Sequence, residues 1–492
     1  MSAIDPNFAP LVAAPLLVPL VTALLCALMQ RQARWLSLAG SVAMFAAALA
    51  LFLQVQADGT QTMAFGGWQA PFGIAFVADP LGASMALITA LMGLACIIFQ
   101  FSGVDSAPES PTLYPLLHAL LAGVAGAFLT GDIFNLYVWF ELMLVAAVGL
   151  LALGGRRAQL EGAFKYFVLN AFGTMVFLMA IGWIYARTGQ LNLQALEIAS
   201  ASLGAGETLA FVAALCIGFL LKAGAFPLFA WLPASYHTLP APVLALFAGL
   251  LTKVGIYAVL RIAGDVFPGV PAIGFEVLGW IAIATMVTGV LGAAFHWDIR
   301  RILAFHIVSQ IGYMLLGVAL DSADGRTGTV FYILHHIIVK ANLFLIGALI
   351  FRLTGSYDLR ESGGLWASRP LFGLLFLVPA LSLVGIPPLS GFWAKFIVVR
   401  EAMLLEHWVW AAVALLVGFL TLYSMMKIWF EAFWKPHPQP ERAITGPTSA
   451  AALWPAYLVV VSLAALTVAI GLMPEPMLDF ARSANAAMEA TP

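Results

Sequence analysis

Four lysines and one glutamate stand inside apolar runs, where a charge has no solvent. Lys222 lies in AALCIGFLLKAGAFPLFAW, Lys253 in LALFAGLLTKVGIYAVL, Lys340 in YILHHIIVKANLFLIGAL, Lys395 in PPLSGFWAKFIVV and Glu141 in FNLYVWFELMLVAAVGL. A lysine can snorkel toward water, but from ten residues deep the boundary is about 15 Å away at 1.5 Å per residue, roughly twice the reach of its stem. Each such charge costs about 2.5–3.5 kcal/mol, so the set is a burden on the order of 10 kcal/mol unless it is paired, hydrated or neutralised. Proton transfer is the chemistry that suits these groups. Burial drives lysine and carboxyl groups toward neutrality, and an opposite charge restores the ionised forms. At 4 Å and an effective dielectric of about 20, a pair is worth about 4 kcal/mol, or about three pKa units. Making and breaking a Glu141–Lys222 pair would switch the lysine between holding and releasing a proton. A purely structural ion-pair network is the competing reading.

Histidines form a second set. His306 (FHIVSQIGY), His335 and His336 (LHHIIVK) fall within apolar runs, and His336 and Lys340 share a helix face at i, i+4. An ordinary pKa near 6.5 suits a relay, while packing against a backbone carbonyl is the alternative for each. Adjacent His335 and His336 point about 100° apart on a helix, which does not suit a haem. Ser309, Gln310, Tyr313 and Tyr332 could hold water along such a path, and His118 and His237 read as interfacial. Helix breakers flank two of the lysines: Gly224 and Pro227 follow Lys222, while Gly385, Pro387 and Pro388 precede Lys395. Interrupted spans at matching places in two halves point to a transport site, because freed backbone groups there line a hydrated cavity.

The elements that must position these residues follow from composition. The chain has 492 residues, 62% hydrophobic and only 9% charged, where soluble domains carry roughly 25% charge. It is an all-α, polytopic membrane protein. Fourteen runs are long enough to span: about 10–30, 35–54, 78–102, 113–130, 133–153, 163–186, 208–232, 238–262, 273–295, 302–320, 329–351, 371–400, 408–433 and 452–473. Residues 55–77 read as a small extracytoplasmic hairpin, 191–204 as a short interfacial helix and 434–451 as a linker. The first run is retained, since no basic segment precedes it. Thirteen Lys and Arg residues fall on the side of Arg31 and Arg34, against five on the other, which places both termini outside. A net charge of −2 offers no face for nucleic acid. Cys26, Cys96 and Cys216 are scattered, so neither a disulfide framework nor a metal centre is expected. Glu141 is the one acid read as intramembrane, so no cage of oxygen ligands for a cation is expected either.

GDIFNLYVWFELMLVAAVGLLAL and FPLFAWLPASYHTLPAPVLALFAGLLTKVGIYAVLR resemble the antiporter-like subunits shared by respiratory complex I and the Mrp-type multisubunit cation/proton antiporters. The similarity covers nearly the whole chain, and the pattern is most similar to the D-type subunits of Mrp antiporters. It implies fourteen helices with two inverted five-helix repeats (113–263, helices 4–8, and 271–433, helices 9–13) and broken helices 7 and 12. An N-terminal unit of three helices (1–112) and a linker with a last helix (434–492) flank the repeats. By resemblance, Glu141 is the helix-5 glutamate, Lys222 and Lys253 the lysines of helices 7 and 8, and Lys395 the helix-12 lysine that ends the proton path. Lys340 and the helix-11 histidines match the connecting relay. The expected role is a proton-translocating subunit of a secondary Na⁺(K⁺)/H⁺ antiporter in a bacterial inner membrane, not an enzyme and without cofactor. A large A-type subunit and small hydrophobic subunits are its expected partners. A proton-pumping subunit of a complex I or membrane hydrogenase type redox complex is the alternative, with electron chemistry left to partners. A membrane scaffold whose charges only dock partners is the third reading.

Overall fold

The computed structural model describes residues 10–68, 72–105, 110–439 and 450–490. Twelve helices among them are long and apolar enough to cross a membrane, and two shorter apolar helices, Leu113–Leu129 and Pro370–Val384, complete the fourteen runs read from sequence. In chain order, spans 1 to 6 are Pro10–Leu28, Ala33–Asp58, Pro80–Gln100, Leu113–Leu129, Ile133–Ala152 and Arg157–Thr188. Span 7 is Ala205–Ala223, broken before a short helix at Trp231–Ser235, and span 8 is Ala241–Val266. Spans 9 to 11 are Ala272–Phe295, Ile299–Ala319 and Ala323–Thr354. Span 12 is split into Pro370–Val384 and Ser390–Leu404, and spans 13 and 14 are Trp408–Ile428 and Ala450–Leu472.

Local chemistry sets many of these ends. Asp79, with Pro80 at the first helical position, caps span 3 by accepting from Gly82 N at 2.7 Å. Asp132, Asp298 and Ser322 cap spans 5, 10 and 11 in the same way. Gly224 and Gly385 close the first halves of spans 7 and 12 at φ of 75° and 97°, a left-handed conformation that costs glycine little. The two breaks share a Gly-x-x-Pro-Leu pattern, Gly224 to Leu228 and Gly385 to Leu389. The strands Gln61–Ala64 and Ala75–Ala78 pair antiparallel as the expected hairpin, and the short helix of the 191–204 segment is Leu193–Ser200. Of the linker, residues 440–449 lie outside the described residues.

Burial sorts the spans. The most apolar windows of spans 8 and 11 are wholly enclosed and that of span 10 is 94% buried, against 28–39% for the windows of spans 1, 2, 6 and 13. Lys253, His306, His335, His336 and Lys340 therefore sit on the three innermost helices.

Lys165, inside the expected run 163–186, stands in the opening turns of span 6, where it pairs with Glu161 at 2.5 Å on an exposed face. One boundary corrects the sequence reading. Span 8 runs on through a wide turn at Ile262–Val266, so Arg261 and Asp265 belong to it and Glu141 is not the sole acid inside a span.

Candidate functional site

Lys222 is in the last turn of the first half of span 7, where the helix dipole favours a cation. The residue is 2% exposed, and its ammonium hydrogen-bonds to nothing and lies 5.5 Å from the Phe140 ring centre. Glu141, the residue after Phe140, is within electrostatic reach of it, but no N···O contact within 4.0 Å joins them. The pair expected from sequence is thus open in this conformation. The Leu221 carbonyl, just before Lys222, accepts from Gly224 N at 3.1 Å and from the indole N–H of Trp231 at 3.0 Å.

Span 8 lies against this break. A Cβ on Gly255 would stand 2.6 Å from the Phe219 carbonyl and from Ala223 N, so only glycine permits the approach. Gly255→Val is expected to force the spans apart and destabilise the chain by about 1–3 kcal/mol, read as a lowered thermal midpoint in detergent. An unchanged midpoint would show the contact to be looser. Lys253 donates to the Ala248 carbonyl at 2.6 Å and approaches Thr252 Oγ1 at 3.3 Å. Ala248 sits in a π-turn, Phe247–Leu251, whose wider winding turns carbonyls out of the helical ladder.

Span 11 continues the row. Lys340 is fully buried with no hydrogen-bond partner, within electrostatic reach of Lys253. His336 is equally enclosed, and both of its ring nitrogens are unpartnered. The imidazole of His335 meets Ser390 Oγ at 3.0 Å, and Ser390 meets Ser382 Oγ at 3.0 Å, both across the break in span 12. His306 Nε2 meets Ser424 Oγ at 2.5 Å and leaves Nδ1 unpartnered. Lys395 donates to the freed Val384 carbonyl at 2.9 Å and stands over the Tyr313 ring at 4.5 Å. Of the accessory polar residues, Tyr332 donates to Gln310 Oε1 at 2.5 Å and Tyr313 to the Ala414 carbonyl at 2.5 Å, while Ser309 Oγ and Gln310 Nε2 have no partner.

Across spans 5 to 12, Glu141 is thus electrostatically coupled to Lys222, while Lys253, Lys340, His336, His306, His335 and Lys395 are coupled to one another. The interior members of this set are at most 2% exposed, whereas Glu141 and Lys395, at the two ends, are only partly buried. An orphaned buried polar group costs about 1–3 kcal/mol, and more when charged. The unpartnered nitrogens of Lys222, His336, Lys340 and His306 therefore require water beside them. Among the described residues no group of three His, Cys, Asp or Glu side chains could hold a metal ion.

One sequence expectation changes, one holds and one residue is new. His118 is not interfacial: it is fully buried and meets Ser37 Oγ at 2.9 Å. His237 does lie near a span end, 3.2 Å from Arg301, where burial and that guanidinium hold its pKa down to about 4. Asn342, two residues past Lys340, is fully enclosed with both amide atoms unpartnered. The signal was present: an asparagine amid VKANLFLIG has no apolar reason to be there.

A family model described as "NADH:quinone oxidoreductase/Mrp antiporter, TM" matches residues 130–421. The D subunit of an Na(+)/H(+) antiporter from Alkalihalophilus pseudofirmus is 41% identical over 474 residues, 96% of this chain and 95% of that one. A chain of the Mrp complex from Dietzia sp. DQ12-45-1b superposes with a TM-score of 0.88 at 31% identity, covering 98% of each. A chain of an archaeal membrane-bound sulfane sulfur reductase, a respiratory complex, superposes with a TM-score of 0.90 at 25% identity, again covering 98% of each.

Proposed function

The chain belongs to the NADH:quinone oxidoreductase/Mrp antiporter family, and from that premise we propose that it is the D-type, proton-translocating subunit of a multisubunit Na⁺(K⁺)/H⁺ antiporter. The observation that carries the reading is the row itself: ionisable groups enclosed in the middle, partly open at both ends, with nitrogens that only water can satisfy. Protons enter beside Glu141 and Lys222, pass Lys253, His336 and Lys340, and leave at Lys395, with His306 and His335 as flanking relays. Gly224, Pro227, Pro387 and Pro388 break the spans so that backbone carbonyls face this path. The 41% identity to an antiporter subunit, against 25% to the chain of a redox complex, favours cation exchange over electron-driven pumping.

Partners are required by the surface. Phe134, Val138 and Val145 are 41–65% exposed on the face of span 5 that carries Glu141. An acid left against lipid is costly, so a neighbouring membrane subunit covers this face. The large A-type subunit and the small hydrophobic subunits remain the expected set.

Vesicles holding the whole complex should exchange Na⁺ or K⁺ for protons, while this chain inserted alone should not. Exchange by the single chain would refute its dependence on partners, and proton flux that needs an electron donor and ignores both cations would favour the redox alternative. The distribution of Lys and Arg supports an orientation with both termini outside, in what we read as a bacterial inner membrane. A cytosol-restricted reporter fused at Pro492 should be silent, and strong signal there would reverse the orientation.

A further inference from the structure

The breaks in spans 7 and 12 carry the same backbone bonds at their matched positions, with one exception. Aligned on the Gly-x-x-Pro-Leu pattern, Gly224 matches Gly385, Phe226 matches Pro387 and Leu228 matches Leu389. Gly224 N donates to the Leu221 carbonyl at 3.1 Å, and Gly385 N to the Ser382 carbonyl at 3.1 Å. Ala225 N reaches back to Leu220 at 2.9 Å, as Ile386 N does to Leu381 at 3.1 Å. Leu228 N bonds Ala225 at 2.7 Å, as Leu389 N bonds Ile386 at 3.1 Å. The exception is the third position. Pro387 has no N–H to satisfy, whereas Phe226 sends its N–H out of the segment, to Thr285 Oγ1 of span 9 at 3.0 Å.

Thr285 is set up to accept. It is fully buried, and its own hydroxyl donates to the Ile281 carbonyl one turn back at 2.6 Å, which leaves the oxygen's lone pairs for Phe226. A backbone N–H without a partner is costly inside a membrane, so this bond fixes where the segment lies. Lys222 stands four residues before Phe226, in the last helical turn before the break. The carbonyls of that turn, Leu220 and Leu221, are the ones that take the Ala225 and Gly224 N–H groups. Span 9 opens the second repeat as read from the sequence. One hydroxyl therefore ties the break beside Lys222 to the other half of the chain.

We infer that Thr285 is a positioning residue, which holds the break of span 7, and with it the turn carrying the Lys222 ammonium, from a helix of the second half. The second break is stiffened by two adjacent prolines and needs no such tie. The first depends on an oxygen that belongs to span 9 and moves with it. The Lys222 ammonium has no hydrogen bond of its own, so the turn beneath it decides where it points. The inference rests on Lys222 being a proton carrier.

The test uses the whole complex in vesicles, with two readings: amide hydrogen exchange in the peptide covering 224–228, and cation-dependent proton flux. Thr285→Val keeps the shape and removes the acceptor. Its exchange should quicken about tenfold, the order expected when one buried backbone hydrogen bond is lost, and its flux should fall by a similar factor at unchanged subunit amounts. Thr285→Ser keeps the oxygen and should restore both readings, which a role resting on bulk alone would not produce. Where Thr285→Val does not assemble, Thr285→Ala removes the same oxygen and should shift both readings the same way. Unchanged exchange in Thr285→Val or Thr285→Ala overturns the inference, as does faster exchange at full flux, which would leave Thr285 a local cap with no part in transport. A Thr285→Ser complex as slow as Thr285→Val overturns it too. Lys222→Arg is assayed alongside. Full flux there overturns the carrier reading on which the inference stands, whereas an inactive Lys222→Arg beside a fully active Thr285→Val overturns the inference alone.

Discussion

Replacing Lys222 by arginine is expected to cut cation-dependent proton flux through the whole complex by at least about a hundredfold, with the subunit still present in the membrane. Arginine keeps the positive charge and the length but does not release its proton at any working pH. The lysine is suited to release because no hydrogen bond fixes its ammonium, its neighbours being a phenyl ring and a carboxylate not in contact. Beyond contact distance and at an effective dielectric of about 20, Glu141 contributes less than the about 4 kcal/mol of a close pair, so Glu141→Ala should lower flux by about tenfold or more. Glu141→Asp should retain part of the rate. The Glu141→Ala/Lys222→Ala pair should be no worse than Lys222→Ala, because groups acting as one unit are not additive. The assay is proton flux in vesicles, with subunit amounts checked by blotting. Full flux in Lys222→Arg would reduce the residue to a fixed charge and end its role as a carrier.

Lys340→Met should show activity and stability moving in opposite directions. Lys340 is enclosed, without a hydrogen-bond partner, and electrostatically coupled to both Lys253 and His306. Methionine fills similar space without a charge, so assembly should be unharmed, or improved by up to about 2.5–3.5 kcal/mol, the cost of a charged residue in mid-membrane. Flux should fall about as far as in Lys222→Arg, since the link between the halves is gone. A complex that is both active and more stable would show that the row is two separate sites and not one path. His336→Leu tests the same link from the neighbouring turn and should also slow flux.

Much of this site was legible in the chain itself. Charge inside an apolar run is conspicuous, so Glu141 and the four lysines stood out, and the Gly and Pro residues beside Lys222 and Lys395 marked the breaks. What stayed hidden depends on distant partners. The serines that meet the histidines, Ser390 and Ser424, lie 55 and 118 residues away from them. The π-turn that offers Ala248 to Lys253 leaves no mark in apolar periodicity, because span 8 is apolar on every side and buried on every side. Its extension past residue 262 to Asp265 was hidden for a related reason: a run of hydropathy ends near charges, whereas a helix can carry charges onward where other chain segments neutralise them. His118 was misjudged because position near a span end says nothing of what covers it, and here Ser37 of span 2 does.

Span 11 has 32 residues, about 48 Å of helix, and Lys340 is the eighteenth of them. The central lysine therefore stands near the electrical midpoint of the bilayer. A proton moving between it and either surface crosses about half of the transmembrane voltage, roughly 1.2 kcal/mol at 100 mV. That is about a sevenfold bias in its occupancy. On the proposed path, membrane voltage would therefore act at two separate steps, one loading the middle of the row and one emptying it, and neither step would be electrically silent.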